Sequence, residues 1–133
     1  MIDNNRRFIT VGIVEPQEAT QFAVSTMLSK QAEYEVCGVE SDGERGLRML
    51  IEQRPRVAVV EIDLEGRSGF EVASDLGMRQ RDTRVLFYTA TMPDIYIEQT
   101  LRSKAAGYVL KTDSLASLLT GIQAVANGDS YFS

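Results

Sequence analysis

The chain has 133 residues, 44% of them hydrophobic and 25% charged, with a formal net charge of −5. That is the size of one domain with one sizeable core. The chain is too acidic to neutralise nucleic-acid phosphates by itself, and it has no apolar run near the roughly 20 residues that cross a bilayer. With no histidine and one cysteine, Cys37, zinc centres, internal disulfides and histidine-activated nucleophiles have no material. The opening MIDNNRRFIT lacks the apolar core of a secretory signal, so a cytoplasmic location and no membrane contact are expected.

Phe8 to Val14 is an apolar strand that stops at Glu15. Pro16 suits a first helical turn, where its missing N–H would have no partner anyway. A helix to about Gln31 places Ala19, Ala23, Val24, Met27 and Leu28 on one face. Tyr34 to Glu40 is a second strand, and Ser41, Asp42 and Gly43 start a helix that runs to Gln53 and buries Leu47, Leu50 and Ile51. Gly38, Gly43 and Gly46 lack the order of a phosphate-binding fingerprint and read as turn glycines.

Val57 to Val60 is apolar without alternation, the pattern of a strand covered on both faces, and it runs into Glu61. A polar loop, 62–68, leads to a helix from Gly69 to about Met78. Arg84 to Thr89 is a fourth strand. Pro93 to Lys104 has helical spacing in Ile95, Ile97 and Leu101. Ala106 to Leu110 is a fifth strand ending at Lys111, and Ser114 caps a last helix that repeats Leu115, Leu118, Leu119, Ile122 and Val125 as far as Gly128.

Five βα units in one domain, residues 1–133, predict an α/β fold with a doubly wound, five-stranded parallel sheet and helices on both faces. Ligands of such sheets collect at the carboxyl ends of the strands. Four of the five strands end there in a polar group: Glu15, Glu61, Thr89 and Lys111.

The strings VGIVEPQ, RPRVAVVEIDLEGRSGFE, RVLFYTA, AAGYVLK and AVANGDSYFS, collinear over the whole chain, resemble the receiver domain of bacterial response regulators. The likeness is to the NarL/FixJ subfamily, whose receiver usually precedes a LuxR-type DNA-binding domain. The resemblance implies a flavodoxin-like fold and a regulatory, non-enzymatic role in two-component signalling. It also implies a phosphoryl-acceptor position at Glu61, an acidic pocket at Glu15 and Pro16 with Asp63 nearby, and switch residues Thr89, Tyr108 and Lys111.

Two departures matter. The acceptor is glutamate rather than aspartate, and proline stands where the second magnesium-binding carboxylate would be. Magnesium asks for near-octahedral oxygen ligands, so with Glu15 and Glu61 as its only carboxylates it should bind weakly or not at all, and no other cofactor is implied. Phosphoryl transfer relies on positioning and on that metal, so conventional phosphorylation of Glu61 is not expected. The longer glutamate should reach toward Thr89 and Lys111. It either locks an active-like state or forms a structural ion pair at a site that no longer switches.

The helix after Ser114 carries no charge as far as Asn127, and the first helix only Glu18 and Lys30. A homodimer through these two helices follows, with Ser117, Thr120, Gly121, Gln123 and Ala124 near its centre. Other partners are a histidine kinase or another regulatory protein, and DNA only through a further domain, whose linker the closing GDSYFS resembles. Two alternatives stand beside this reading: a phosphorylatable receiver using Glu61 or Asp63, and, from fold alone, a small flavodoxin-like enzyme or flavin-binding protein.

Overall fold

A computed structural model describes residues 8–133; Met1 to Arg7, on which part of the signal-sequence reading rests, lie outside the described residues. The elements in chain order are β1 (Ile9–Val14), α1 (Glu18–Ser29), β2 (Tyr34–Glu40), α2 (Gly43–Gln53), β3 (Val57–Val60), α3 (Gly69–Arg79), β4 (Arg84–Thr89), α4 (Asp94–Arg102), β5 (Gly107–Leu110), α5 (Leu115–Ala126) and β6 (Tyr131–Phe132). The sheet order is β2-β1-β3-β4-β5-β6, and every pairing is parallel. β1 pairs outward with β2 while the chain returns to β3 on its other side, so the winding reverses beside β1, where open parallel sheets hold their ligands.

Two apolar layers enclose the sheet. Val24 and Leu28 of α1 join Leu118, Ile122 and Val125 of α5 on one face. Leu47 and Leu50 of α2 join Val72 and Leu76 of α3 on the other. All four residues of β3 are at most 2% exposed, as a strand covered on both faces requires. No helix among the described residues is long and apolar enough to cross a membrane.

The structure corrects the sequence reading at several points. The sheet has six strands, not five, because the closing segment read as the start of a linker supplies β6. Gly107 makes that approach possible: a Cβ there would overlap the Tyr131 carbonyl. Pro16 stands outside α1, whose N-cap is Gln17. The glycines read as turn residues lie inside elements, and each keeps a close contact. Gly38 packs on Met49, Gly46 on Val14, and a Cβ on Gly43 would overlap the Arg67 carbonyl.

On α4 the apolar stripe points outward, with Ile95 at 60% and Leu101 at 63% exposed. The inner side of that helix uses Tyr96 and Thr100 instead. Cys37 is half-buried, at a register irregularity where Val11 pairs with Val36 and Gly12 with Gly38. Burial pushes its thiol pKa up, which disfavours the reactive thiolate.

Candidate functional site

Each of the four polar residues at the strand ends lies one step beyond, or at the end of, a buried strand. Parallel pairing carries on through Glu15 N–H to the Glu40 carbonyl at 2.9 Å, Glu61 N–H to Val14 at 2.9 Å, and Lys111 N–H to Thr89 at 2.7 Å. The strand ends are therefore in register, and their side chains converge.

The Lys111 ammonium lies 2.7 Å from Glu15 Oε1 and 2.7 Å from Glu61 Oε1. Glu61 Oε2 accepts from Thr89 Oγ1 at 2.7 Å and from the backbone N–H groups of Ile62 at 2.6 Å and Asp63 at 3.2 Å. Glu15 Oε2 accepts from Gln17 N–H at 2.9 Å. Glu15 is 2% and Glu61 6% exposed. Burying two ionised carboxylates is tolerable only with such partners. One ammonium leaves the pair one negative charge in excess, and the backbone N–H groups and the hydroxyl offset it.

Burial alone would pull the Lys111 pKa down, but the hydrogen bonds and charges of Glu15 and Glu61 outweigh it, and the net shift is upward. The ammonium also lies 5.8 Å from the centroid of the Tyr88 ring.

The loop after β3 is fixed from both ends. Ser68 and Glu71 form a reciprocal capping box at the start of α3, and Gly69 N–H donates to the Ile62 carbonyl at 2.8 Å. Gly69 rests on the backbone of Glu61 so closely that a Cβ would overlap its carbonyl. The Glu61 carboxylate is thus held over rigid backbone, with Ile62, read as part of a polar loop, 2% exposed beneath it.

Asp63 does not join the cluster. Its side chain accepts from the Tyr96 hydroxyl at 3.2 Å, and its negative charge is the main cause of an upward shift in the Tyr96 pKa. No motif in the sequence marks Tyr96, which stands three residues after Pro93, the N-cap of α4. Tyr108 makes its ring contact with Phe132, edge to face at 5.9 Å. Pro16 is exposed and has no side-chain oxygen.

Glu15 and Glu61 are the carboxylates that would hold the magnesium ion implied by the resemblance, and Pro16 adds no oxygen to them. The ammonium of Lys111 already bridges the two carboxylates. Among the described residues no three Asp, Glu, His or Cys side chains stand together as a metal site.

The helical face expected to dimerise is divided. Thr120 and Gln123 are exposed, and Ser117 and Ala124 are half-exposed. Gly121 is buried and faces inward, where a Cβ would meet Tyr131, Val109 and Leu86 at 3.0 to 3.2 Å. It serves the seating of β6 and α5 on the sheet rather than contact with a second chain.

The family model for the response regulator receiver domain matches residues 11–123. The chain is 31% identical over 120 residues to the transcription regulator BvgA of Bordetella pertussis, and 26% identical over 121 residues to the transcriptional regulatory protein LiaR of Bacillus subtilis. Those alignments take in 90% and 91% of this chain but 57% of each relative. Among solved structures, the signal receiver domain of the response regulator NarL from Mycobacterium tuberculosis superposes with a TM-score of 0.87 at 24% identity. It covers 92% of this chain and 98% of that one.

Proposed function

The chain belongs to the response regulator receiver domain family, and from that membership we propose that it is a pseudo-receiver, regulating through protein contacts without phosphorylation of an aspartate. The observation that carries this reading is the state of Glu61. Its carboxylate stands at the position that the resemblance gives to the phosphoryl acceptor, and it already engages Thr89, Lys111 and two backbone N–H groups. The family resemblance gives that hydroxyl and that lysine to the phosphoryl group. A carboxylate that satisfies both supports an active-like arrangement held without phosphate, although it offers fewer acceptor oxygens and less charge than a phosphate would. Magnesium is not required, and its binding is weak or absent.

The relatives are transcription regulators rather than enzymes, which leaves the flavin-binding and enzymatic alternatives without support. Because this chain spans little more than half of them, its role in the whole protein is an inference: the regulatory part of a cytoplasmic transcription regulator that meets DNA through a separate domain. Its partners are a second copy, through α1 and the outer face of α5 at Ser117, Thr120, Gln123 and Ala124, and a histidine kinase or another regulatory protein.

Incubation with acetyl phosphate and magnesium, followed by intact mass, tests the chemistry. No added phosphate is expected. A gain of one phosphate, mapped to Glu61 or Asp63, would establish the phosphorylatable alternative instead. Glu61→Asp should remain poorly phosphorylated because Pro16 supplies no ligand, whereas Glu61→Asp with Pro16→Asp should do better. Equal labelling of the two variants would refute the role given to Pro16.

A further inference from the structure

We propose that a cavity at the opposite end of the sheet from Glu61 binds a small organic anion, an apolar body carrying a phosphate or carboxylate. The cavity, of about 290 Å³, opens between α3 and the starts of β4 and β5. Arg84, its floor residue on β4, is five residues from Thr89, or about 16 Å along a strand. The site is therefore separate from the carboxylate cluster, and the proposal does not rest on the pseudo-receiver reading.

Three features point to an anion. First, the lining includes the cations Arg81 and Lys104 and no carboxylate, in a chain whose net charge is −5. Arg84 also lines the cavity, but its guanidinium donates to the Val125 and Asp129 carbonyls, on the α5 side of the sheet, so the charge that would meet an anion belongs to Arg81 and Lys104. Arg81 and Lys104 have no ion-pair partner among the described residues. Second, Thr83 on the wall is 4% exposed and its hydroxyl accepts from Gln80 Nε2 at 2.9 Å, so its own proton is left to donate. Third, Lys104 has a left-handed backbone with φ 61°, where glycine would be unstrained. Its place after α4 allows it to face the helix dipole as well, so the experiment must separate those two roles.

The shape of the cavity depends on Gly77. A glycine inside a helix weakens it, and the other helical glycines have packing reasons: Gly43, Gly46, Gly69 and Gly121 each face an atom that leaves little or no room for a Cβ. Gly77 has no such neighbour. A Cβ there would meet only the Ser103 carbonyl, at 3.9 Å. Gly77 lines this cavity and a second recess beside it, which Lys104 also shares. The missing side chain keeps space open, and Val85 and Ala106 supply an apolar floor to it.

Titration of the full chain with 1-naphthyl phosphate, by calorimetry and by amide chemical shifts, tests the site. One molecule should bind, with the largest shifts at Gly77, Thr83, Lys104 and Ala106. Arg81→Gln and Lys104→Gly should each weaken it about tenfold, the factor that corresponds to about 1.4 kcal/mol. Gly77→Leu should abolish it. Lys104→Gly relieves the backbone strain while removing the charge, so a loss of binding with unimpaired thermal stability separates recognition from helix capping. Absence of binding at millimolar probe, shifts clustered elsewhere, affinity indifferent to these variants, or equal binding of neutral 1-naphthol would each overturn the proposal.

Discussion

The hydroxyl of Thr89 donates to Glu61 Oε2 at 2.7 Å, and both residues are buried. That one oxygen also takes the Ile62 and Asp63 amides, so the side chain of Glu61 is bound on the side facing β4 and on the side facing its own loop. The arrangement ties the end of β4 to the end of β3 through a charge-assisted bond, which is stronger than a neutral one.

Thr89→Val keeps the shape and removes the donor. Bonds to charged groups contribute roughly 1.5 to 3 kcal/mol, and the two amides remain, so a loss of about 1 to 2 kcal/mol is expected in urea unfolding. Thr89→Ser should lie close to the parent protein. A Thr89→Val variant as stable as the parent would mean that the hydroxyl bond adds nothing.

Lys111 is the sole ammonium among the described residues that pairs with Glu15 and Glu61. Lys111→Met strands two facing carboxylates and should cost about 3 to 5 kcal/mol, the range for breaking a buried pair from one side. Glu61→Gln leaves Lys111 paired with Glu15 and should cost less. Combining Lys111→Met with Glu61→Gln removes the repulsion, so the double variant should be more stable than the sum of the single losses predicts. Additive losses in equilibrium unfolding would show that the two side chains act independently.

The pH dependence follows from the same cluster. The folded-state pKa of Lys111 is raised above its ordinary 10.5, so its stabilising contribution is complete below about 10.5 and is lost as pH rises through the folded value. Tyr88, raised chiefly by burial, and Tyr34, raised for the same first reason, act in the same direction from about 10 upward, because ionisation is resisted in the fold. Melting temperature measured from pH 8 to pH 12 should fall above pH 10, and it should fall less steeply in Lys111→Met, where only the tyrosines contribute. Identical slopes would remove Lys111 from the explanation.

Much of this site was legible because strand ends are marked twice, by the end of an apolar run and by the polar residue that follows. Val57 to Val60 running into Glu61 is the clearest case. What the sequence leaves unmarked depends on distance through space. Tyr96 reaches Asp63 across the gap between α4 and the β3–α3 loop, and no spacing along the chain announces it. The stripe of Ile95, Ile97 and Leu101 has helical period but faces outward, since periodicity reports a face and not what covers it. Tyr131 and Phe132 are too few for a strand pattern, and β6 exists because Gly107 leaves room beside β5.

Two glycines of the α2–α3 side should respond in opposite directions to the same added methyl group. At Gly43 the new Cβ would overlap the Arg67 carbonyl, which is backbone. It is held there by the loop's other contacts, among them the Gly43 N–H bond to the Glu65 carbonyl at 2.8 Å. Relief would require α2 to shift off that loop, and such overpacking costs about 1 to 3 kcal/mol. At Gly77 the methyl group enters open space and removes the backbone freedom of glycine, so Gly77→Ala should stabilise by about 0.5 to 1 kcal/mol. For a chain of this length that is a rise of roughly 2 to 5 °C in melting temperature. If Gly77→Ala instead lowered the melting temperature, the open space at α3 would have to be smaller than its geometry indicates, and the cavity built on it would lose its support.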